Sequence, residues 1–458
     1  MAELIISVSG MRGIVGENLT SAIATEYGCA FGAFLKSSSE SGGARLKVCV
    51  GRDSRPSGEE LLIAVAAGLC SVGVDVVDIG IVTTPCVGVM LRDLGCAGGI
   101  VITASHNPVE YNGIKLLLSN GIAPAAELAA EIRQRYFDKQ FELVGSPECG
   151  HVTFDETTDA VHIEKVMAII EKETIAAKGF KVVLDSVNGG GGRISKDILG
   201  QLGCDVVAIN DEATGIFAHT PEPTKENLTG LCDEVAAAGA DIGFAQDPDA
   251  DRLAIVDENG RYIGEEYTVA LAAKYVFGKM KGTAAVNLST SRMIDDIARE
   301  AGCRVIRTAV GEANVADAMV KNKCVIGGEG NGGIIDLRVG PVRDSLVGMA
   351  LVLQLMAETG KTVSELVSDI GGYYVYKTKF VADKAQAGLI CEKARELFTD
   401  AKVNDTDGYR FDFDDGWVHL RTSNTEPVMR LIVETENEAA AKMYIDKVND
   451  IREEILGR

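Results

Sequence analysis

The chain has 458 residues, 46% of them hydrophobic, and 51 glycines. This length suits about three or four domains, and the glycines favour an α/β protein with many tight strand-to-helix turns. The formal net charge of −22 argues against nucleic acid or an anionic membrane surface as a partner. No segment approaches the ~20 apolar residues of a membrane span, and Met1–Leu4 lacks the start of a signal peptide. The 11 scattered cysteines indicate neither a zinc ribbon nor a disulfide framework, so we expect a cytoplasmic protein.

Three stretches of the chain predict one repeated unit of strand, polar or glycine-rich turn, helix and strand. The first has a strand at 47–50 and a helix at 59–72, the second has strands at 181–184 and 205–209 around a helix at 194–202, and the third has strands at 284–288 and 304–306 around a helix at 293–300. Such crossover units belong to mostly parallel or mixed sheets. They predict three similar mixed-sheet α/β domains, at 1–150, 151–257 and 258–370.

The pattern changes near Tyr373. Alternating segments predict strands at 374–380 and 409–413, further strands are predicted at 417–421 and 429–434, and an amphipathic helix follows at 438–456. The region 371–458 is therefore predicted to form a smaller C-terminal α+β domain.

A serine hydroxyl follows the apolar strand predicted at 99–102. Ser105 stands in the hexapeptide Thr103-Ala104-Ser105-His106-Asn107-Pro108 and is a candidate nucleophile. A Ser-His pair is more often surface chemistry, and adjacent residues point apart. His106 is therefore disfavoured as the base of a hydrolase-type triad.

Three aspartates at alternate positions, Asp247, Asp249 and Asp251, follow a strand predicted at 242–245. Alternate residues of an extended segment point the same way, so these carboxylates can converge on one hard cation, although a solvated acidic turn has the same pattern. A calcium loop would place Glu258 at its twelfth position. It fails because Arg252 stands where that loop needs glycine and because strands flank the segment. A serine beside such a cation is what phosphoryl transfer through phosphoserine needs.

Further polar loops follow predicted strands, where open α/β sheets place their sites. Arg421 to Pro427, with Arg430 just beyond, suits phosphate, although a hairpin turn is the plainer interpretation. Glu329 and Asn331 stand in the glycine run 327–333, which fits either a ligand loop or a flexible one. Lys115 is expected in a loop ten residues beyond Ser105, and Arg12 in a turn after a strand at 4–8. Alone, each of these two would be ordinary surface.

Taken in order, the motifs resemble those of the α-D-phosphohexomutase family. They are Ser-Gly-Met-Arg-Gly at 9–13, Thr-Ala-Ser-His-Asn-Pro at 103–108 with Tyr-Asn-Gly-Ile-Lys at 111–115, Asp-Pro-Asp-Ala-Asp-Arg at 247–252, Gly-Glu-Gly-Asn-Gly-Gly at 328–333 and Arg-Thr-Ser-Asn-Thr-Glu-Pro at 421–427. The resemblance spans the whole chain. It implies three mixed α/β domains and a smaller C-terminal domain around a central cleft. It also implies a phosphosugar substrate, Mg²⁺, and a hexose 1,6-bisphosphate as activator. We expect a monomer or a homodimer.

The resemblance also implies roles for individual residues. Ser105 becomes the phosphoserine and holds Mg²⁺ together with Asp247, Asp249 and Asp251. Lys115 and Arg12 lie at the reacting phosphate, with His106 as a further catalytic candidate beside the serine. The remaining residues bind substrate: Arg252 steadies the metal loop, Glu329 and Asn331 contact sugar hydroxyls, and Arg421, Ser423, Asn424, Thr425 and Arg430 hold the non-reacting phosphate.

Two details concern the substrate and the sugar loop. The glycine run 327–333, with Glu329 and Asn331, is here called the sugar loop. Many members of the family end this loop in Ser-Gly-His, whereas this chain has Gly333 at the place of the histidine. The loop and the opening motif resemble the archaeal-type phosphoglucosamine mutase branch. We therefore expect interconversion of a hexosamine 6-phosphate and 1-phosphate, with glucosamine favoured. The alternatives are a phosphomannomutase or phosphoglucomutase of the same family, a phosphosugar phosphatase, and a non-catalytic sugar-phosphate binder.

Overall fold

The computed structural model describes residues 4–7, 10–38, 45–422 and 428–457. Within these ranges the chain forms four sheets with helices packed against them. Three of the sheets are mixed and belong to α/β units, and the fourth is a smaller antiparallel sheet at the C-terminus. The predicted fold class is confirmed.

The first sheet has seven strands in the order β1-β2-β6-β5-β3-β4-β7. Its elements are β1 Ile5–Ser7, β2 Gly10–Ile14, α1 Ser21–Ser38, β3 Lys47–Arg52, α2 Gly58–Ser71, β4 Asp75–Ile81, α3 Thr84–Asp93, β5 Gly98–Ile102, β6 Tyr111–Leu118, α4 Ala126–Phe137, a 3₁₀ turn at Ser146–Glu148 and β7 Val152–Phe154. Strand β7 follows the predicted boundary at residue 150, yet it pairs with β4 and so completes the first sheet.

Two expectations about this sheet were wrong. Arg12 and Lys115 do not stand in loops but within strands β2 and β6, which pair with each other in antiparallel fashion. Strand β6 also pairs with β5, where Lys115 lies opposite Val101. The glycines and asparagine around these two residues read as turn signals, but their backbones complete the ladder between β1 and β5.

The second and third sheets share one topology. The second contains α5 Thr158–Met167, α6 Lys172–Ala176, β8 Lys181–Asp185, α7 Gly192–Gln201, β9 Asp205–Ile209, α8 Thr229–Ala238, β10 Ile242–Gln246 and β11 Leu253–Asp257. The third contains α9 Glu266–Lys279, β12 Thr283–Asn287, α10 Met293–Glu300, β13 Arg304–Thr308, α11 Glu312–Asn322, β14 Ile326–Glu329, β15 Gly333–Ile335, α12 Ser345–Thr359 and α13 Val363–Ile370. The strand orders are β11-β10-β8-β9 and β13-β12-β14-β15. In both sheets, three strands are parallel to one another and a fourth strand pairs antiparallel at one edge. The predicted repeated unit is therefore a structural repeat.

The C-terminal sheet has the order β16-β20-β19-β18-β17 and is antiparallel throughout. Its elements are β16 Tyr374–Val381, α14 Lys384–Leu397, β17 Lys402–Asn404, β18 Tyr409–Asp412, β19 Gly416–Thr422, β20 Val428–Thr435 and α15 Glu438–Leu456. The four predicted strands and the terminal helix are present, whereas α14 and β17 were not predicted.

The apolar cores show how the units are joined. One buried cluster runs from the first sheet through the second to the third, whereas the C-terminal domain has a core of its own. Helix α12 contributes a continuous buried run to the shared core, Ser345 to Ala357. Within the part of the chain that the structure describes, no single helix is long and apolar enough to cross a membrane, but α12 and α13 together, bent by 89°, meet the length and composition criteria.

Candidate active site

The turn after β5 places Ser105 in a constrained backbone conformation. Its φ is 51°, in the left-handed region, and the residue is buried. The Ser105 amide donates to Thr103 Oγ1 at 2.9 Å, and the Thr103 hydroxyl donates to Asp53 Oδ2 at 2.6 Å. A non-glycine residue in this conformation costs roughly 1–3 kcal/mol and persists only where its surroundings hold it. The direction of the serine hydroxyl is therefore imposed by the loop.

Arg55, a fully buried residue that the sequence analysis missed, supports this loop from below. Its guanidinium donates to the carbonyl oxygens of Ser105 at 2.9 Å, Tyr111 at 2.8 Å and Asn107, and it pairs with the Asp53 carboxylate. A planar group with five donors can serve all these acceptors at once, which a lysine cannot. In the sequence, Arg55 stands in a polar turn after β3 and carries no signal that sets it apart.

The three aspartates of the predicted metal site converge as expected from their spacing. One oxygen of each lies within 4.8 Å of the others, and all three are fully buried. Oδ1 of Asp249 and Oδ1 of Asp251 accept no hydrogen bond from the described residues. Burial of unpaired carboxylate oxygens is costly, and such oxygens are the ligands that Mg²⁺ prefers. The donor set therefore fits a divalent cation at this point.

The charges of the cluster change the pKa of its members in opposite directions. Burial, together with the like charges of Asp251 and Asp249, raises the pKa of Asp247 well above its ordinary value. Burial also opposes ionisation of Asp249, but Lys115 outweighs it and lowers the pKa of Asp249. Carboxyl groups whose oxygens lie within 4.8 Å of one another repel when both are ionised, so a cation is needed to keep them all charged.

The segment 247–252, here called the metal loop, is held from both sides. Thr84, at the start of α3, donates its amide to the Asp249 carbonyl at 2.8 Å and its hydroxyl to Asp249 Oδ2 at 2.5 Å. Ser345, at the start of α12, donates its hydroxyl to the Ala250 carbonyl at 2.7 Å. The first turns of two helices from different domains thus grip the loop, and neither residue was predicted.

The structure brings the predicted nucleophile to the metal loop. The Ser105 hydroxyl lies 3.0 Å from Asp247 Oδ2 and 3.2 Å from Nδ1 of His106. Burial, with the positive charges of Arg252 and Arg12, lowers the pKa of His106 to about 2, so its imidazole is neutral.

Three predicted cations surround this cluster. Lys115 Nζ lies 2.7 Å from Asp249 Oδ2 and 3.4 Å from Asp251 Oδ2. Burial lowers the pKa of Lys115, but the two carboxylates outweigh it and the net shift is upward. Arg252 Nε lies 3.9 Å from Asp247 and 4.0 Å from Asp251, so it sits on the cluster without a close ion pair.

Arg12 reaches the serine loop from strand β2. Its Nη1 donates to Asn107 Oδ1 at 2.7 Å, and burial lowers the pKa of its guanidinium. The side chain is therefore anchored two residues from Ser105, at the edge of the same cluster.

The sugar loop is joined to the metal loop by Arg343, a second arginine that the sequence analysis missed. Arg343 donates from Nη1 to Glu329 Oε2 at 2.8 Å and from Nη2 to Asp251 Oδ2 at 2.6 Å. A Cβ added to Gly333 would lie 2.2 Å from Cδ of Arg343. The place at which many members of the resembled family carry histidine is thus filled here by the stem of an arginine. The Asn331 side chain turns inward and accepts the Gly333 amide at 3.3 Å.

The residues predicted to hold the non-reacting phosphate, here called the phosphate grip, belong to the C-terminal domain. They are Arg421, Ser423, Asn424, Thr425 and Arg430. Arg421 is buried and donates from Nε to Asp407 Oδ2 at 3.1 Å, while Arg430 is exposed. The register places Arg421 opposite Arg430, and Arg430 opposite Lys379, in one row across β19, β20 and β16. The predicted residues Ser423, Asn424 and Thr425 lie outside the described residues.

Comparisons with known proteins cover nearly the whole chain. Models of the phosphoglucomutase/phosphomannomutase family match in four parts: alpha/beta/alpha domain I at residues 4–143, domain II at 160–260, domain III at 264–373 and the C-terminal domain at 381–451. A relative from Thermococcus kodakarensis named phosphoglucomutase/phosphomannomutase is 40% identical over 98% of each chain. A relative from Methanopyrus kandleri named probable phosphoglucosamine mutase is 39% identical over 97% of this chain and 96% of its own. The crystal structure of a phosphoglucomutase/phosphomannomutase family protein from Burkholderia thailandensis superimposes with a TM-score of 0.88 at 28% identity, covering 98% of this chain and 97% of that one.

Proposed function

The chain belongs to the phosphoglucomutase/phosphomannomutase family and is a mutase, and we propose that it interconverts a hexosamine 6-phosphate and the corresponding 1-phosphate, with glucosamine as the sugar. The observation that carries the proposal is the 3.0 Å contact between the buried hydroxyl of Ser105 and Asp247 in a cluster of three carboxylates. The choice of glucosamine rests on the similarity to archaeal relatives that bear the name probable phosphoglucosamine mutase.

We assign the phosphoryl group to Ser105. In the first half-reaction, the P–O bond of phosphoserine breaks while a P–O bond to the free sugar hydroxyl forms, which gives a hexose 1,6-bisphosphate. The bisphosphate turns end for end. Its other phosphoryl group then returns to Ser105, which regenerates phosphoserine and releases the isomer. A free hexose 1,6-bisphosphate would accordingly act as an activator, because it can load an unphosphorylated Ser105.

Asp247, Asp249 and Asp251, together with the serine phosphate, would hold Mg²⁺. When bound, the ion would neutralise charge on the transferring group and on the carboxylates. Lys115 is our candidate for the residue that takes and returns the proton of the sugar hydroxyl; a bound cation that neutralised Asp249 and Asp251 would remove the charges that raise its pKa and so allow the neutral amine that accepts a proton. Arg12 is our candidate for a contact to the reacting phosphate. The neutral imidazole of His106 next to Ser105 Oγ makes it a second candidate in proton transfer.

We assign the other end of the substrate to the sugar loop and the C-terminal domain. Glu329 and Asn331 would bind sugar hydroxyls. Like charges directly opposite on neighbouring strands repel, so the row formed by Arg421, Arg430 and Lys379 suits a bound anion such as the non-reacting phosphate. Ser423, Asn424 and Thr425 complete this proposed grip.

All 11 cysteines are free thiols in the structure, and many are buried. This supports a reducing compartment, and we propose that the enzyme acts in the cytoplasm. A monomer or homodimer stays our prediction for its assembly.

The test is a set of coupled assays with glucosamine, glucose, mannose and N-acetylglucosamine phosphates, each with Mg²⁺ and the matching 1,6-bisphosphate. We expect the highest kcat/KM with glucosamine phosphate, and Ser105→Ala protein serves as the blank. A higher value with glucose or mannose phosphate would replace the substrate assignment. Steady release of inorganic phosphate without formation of an isomer would show that the protein acts as a phosphatase and not as a mutase.

A further inference from the structure

Three buried polar side chains from three domains form one chain of contacts. Sγ of Cys86 lies 3.2 Å from Nδ1 of His162, and Nε2 of His162 lies 2.6 Å from Oδ2 of Asp344. Cys86 and His162 are fully buried, and Asp344 is 3% exposed. Cys86 lies on α3 of the first domain, His162 on α5 at the start of the second, and Asp344 caps α12 of the third.

Both ends of this chain lie next to the residues that grip the metal loop. Cys86 stands two residues after Thr84, which binds Asp249 through its amide and its hydroxyl. Asp344 directly precedes Ser345, which donates to the Ala250 carbonyl. The other carboxylate oxygen of Asp344 accepts the amides of Leu346 and Val347 and so fixes the first turn of α12.

We propose that His162 is a positioning residue for the metal loop, because it joins Cys86 to Asp344 and thereby fixes the spacing between the first turns of α3 and α12. A Cys-His-Asp arrangement also occurs in thiol hydrolases, but burial of all three side chains leaves Cys86 no access to a substrate. The expected contribution of His162 to turnover rests on the proposed function. The order of the metal loop can be measured whether or not that function is correct.

The physical basis is the cost of unpaired polar atoms in a buried place. A fully buried imidazole needs partners for both nitrogens, and Cys86 and Asp344 supply them. Replacement by an apolar side chain leaves Asp344 Oδ2 buried beside it without that partner, which is destabilising. The helix ends that carry Thr84 and Ser345 then lose the link that fixes their spacing.

The test measures hydrogen exchange by mass spectrometry on the metal-free, full-length protein. The reporter is the peptide that covers 247–252, in which the Ala250 amide donates to the Asp247 carbonyl and the Arg252 amide to Asp247 Oδ1. In His162→Leu we expect at least tenfold faster exchange in this peptide. His162→Gln, whose amide NH2 can donate to Asp344 and whose amide oxygen can accept from the Cys86 thiol, keeps both links and should stay within threefold of wild type.

The matched control is Gln354→Leu. Gln354 is fully buried on the same helix α12 and accepts the Glu171 amide at 2.8 Å, so it also joins the third domain to the second. The Gln354→Leu substitution should lower the thermal stability about as much as His162→Leu does. It should leave exchange of the 247–252 peptide within twofold of wild type. In turnover, His162→Leu should lower kcat more than it changes KM.

Equal exchange of the 247–252 peptide in His162→Leu and Gln354→Leu would overturn the proposal. If His162→Leu does not fold, Cys86→Ala replaces it. This variant removes one of the two links and should speed exchange severalfold, and unchanged exchange would then overturn the proposal. A wild-type protein without mutase activity would refute the proposed function but leave the exchange result standing.

Discussion

The hydroxyl of Ser105 donates a hydrogen bond to Asp247 across 3.0 Å, although the two residues are 142 positions apart. They stand in loops that follow buried strands of different sheets, Ser105 after β5 and Asp247 after β10. A nucleophile that touches one of three clustered carboxylates is suited to carry a group that a cation neutralises.

Ser105→Ala should abolish mutase turnover while the fold is retained, because the substitution removes only the oxygen that carries the phosphoryl group. Mass spectrometry of the wild-type protein should find a fraction heavier by one phosphoryl group, localised to Ser105. The control is Ser71→Ala on α2, where the hydroxyl donates to a helix carbonyl, and it should keep both activity and phosphate. Near-normal turnover in Ser105→Ala would refute the phosphoserine assignment.

Asp247→Asn should stabilise the metal-free protein at pH 7. The pKa of Asp247 is raised by burial and by Asp251 and Asp249, so its ionisation opposes folding. A raised carboxyl pKa makes the wild-type protein lose stability as the pH rises from about 3.8 towards the folded pKa. The variant should therefore gain about 1–2 kcal/mol of unfolding free energy at pH 7 and almost none at pH 4, measured by urea denaturation.

The same variant should lose most of the rise in Tm that Mg²⁺ gives the wild-type protein, since it lacks one charged ligand. The matched control is Asp257→Asn, a buried aspartate at the end of β11 that pairs with Arg261. It should lose stability at pH 7 and keep the response to Mg²⁺. A wild-type Tm that does not respond to Mg²⁺ or to a chelator would refute the metal site.

Much of the fold could be predicted because its elements carry local signals. The alternation in β16 and β18 and the period of 3.6 in α15 are written in consecutive residues. Strands β19 and β20 are buried along most of their length, and short, largely apolar segments mark them in the sequence. Helix α14 was missed although Asp383 and Gln386 form a capping box at its start. Strand β6 was missed because the Asn-Gly pair inside it reads as a turn, whereas its neighbours on both sides hold it in the sheet.

The active-site cluster divides in the same way. Ser105 and the three aspartates stand in contiguous motifs, so their chemistry is visible from spacing alone. Thr84 and Arg343 were missed because their partners are far away in sequence; Arg343 and Asp251, for example, are 92 positions apart. Arg55 was missed because, apart from Asp53, its acceptors are also distant; Ser105 is 50 positions away. A single arginine or threonine in a turn looks like ordinary surface until the fold supplies its acceptors.

Arg421→Ala should lower kcat/KM about 30-fold or more, since truncation of a buried charged contact costs roughly 2–5 kcal/mol. The variant should also release more hexose 1,6-bisphosphate into solution, because the intermediate must be held while it turns. Phosphorylation of Ser105 should not change. The control is Arg395→Ala, an exposed arginine on α14 of the same domain. Unchanged kinetics in Arg421→Ala would place the C-terminal loop outside the active site.

His162 should give the protein a pH-dependent stability above neutrality. Burial lowers its pKa, but the Asp344 carboxylate at 2.6 Å outweighs burial and the pKa is raised well above 6.5. The stability that its proton supplies is complete below pH 6.5 and is lost as the pH rises towards the folded pKa. The difference in unfolding free energy between wild type and His162→Gln should therefore shrink by about 1 kcal/mol or more from pH 6.5 to 9. His151→Gln, at an exposed position, is the control, and a constant difference across this range would contradict the charged state of His162.

Gly333→Ala tests whether Arg343 needs the space that an absent side chain leaves. The added Cβ would lie 2.2 Å from Cδ of Arg343, so the arginine must move away from Asp251 and Glu329. Overpacking of this kind costs typically 1–3 kcal/mol, and we expect that loss of unfolding free energy together with a fall in kcat. Gly200→Ala in α7 is the control, because nothing lies within 4 Å of its added Cβ, and it should be neutral or stabilising by about 0.5–1 kcal/mol.

Because a buried guanidinium that bridges two carboxylates cannot be replaced by a shorter cation, Arg343→Lys should reproduce the loss of kcat without the overpacking. Wild-type activity in both Gly333→Ala and Arg343→Lys would show that the bridge between the metal loop and the sugar loop is dispensable.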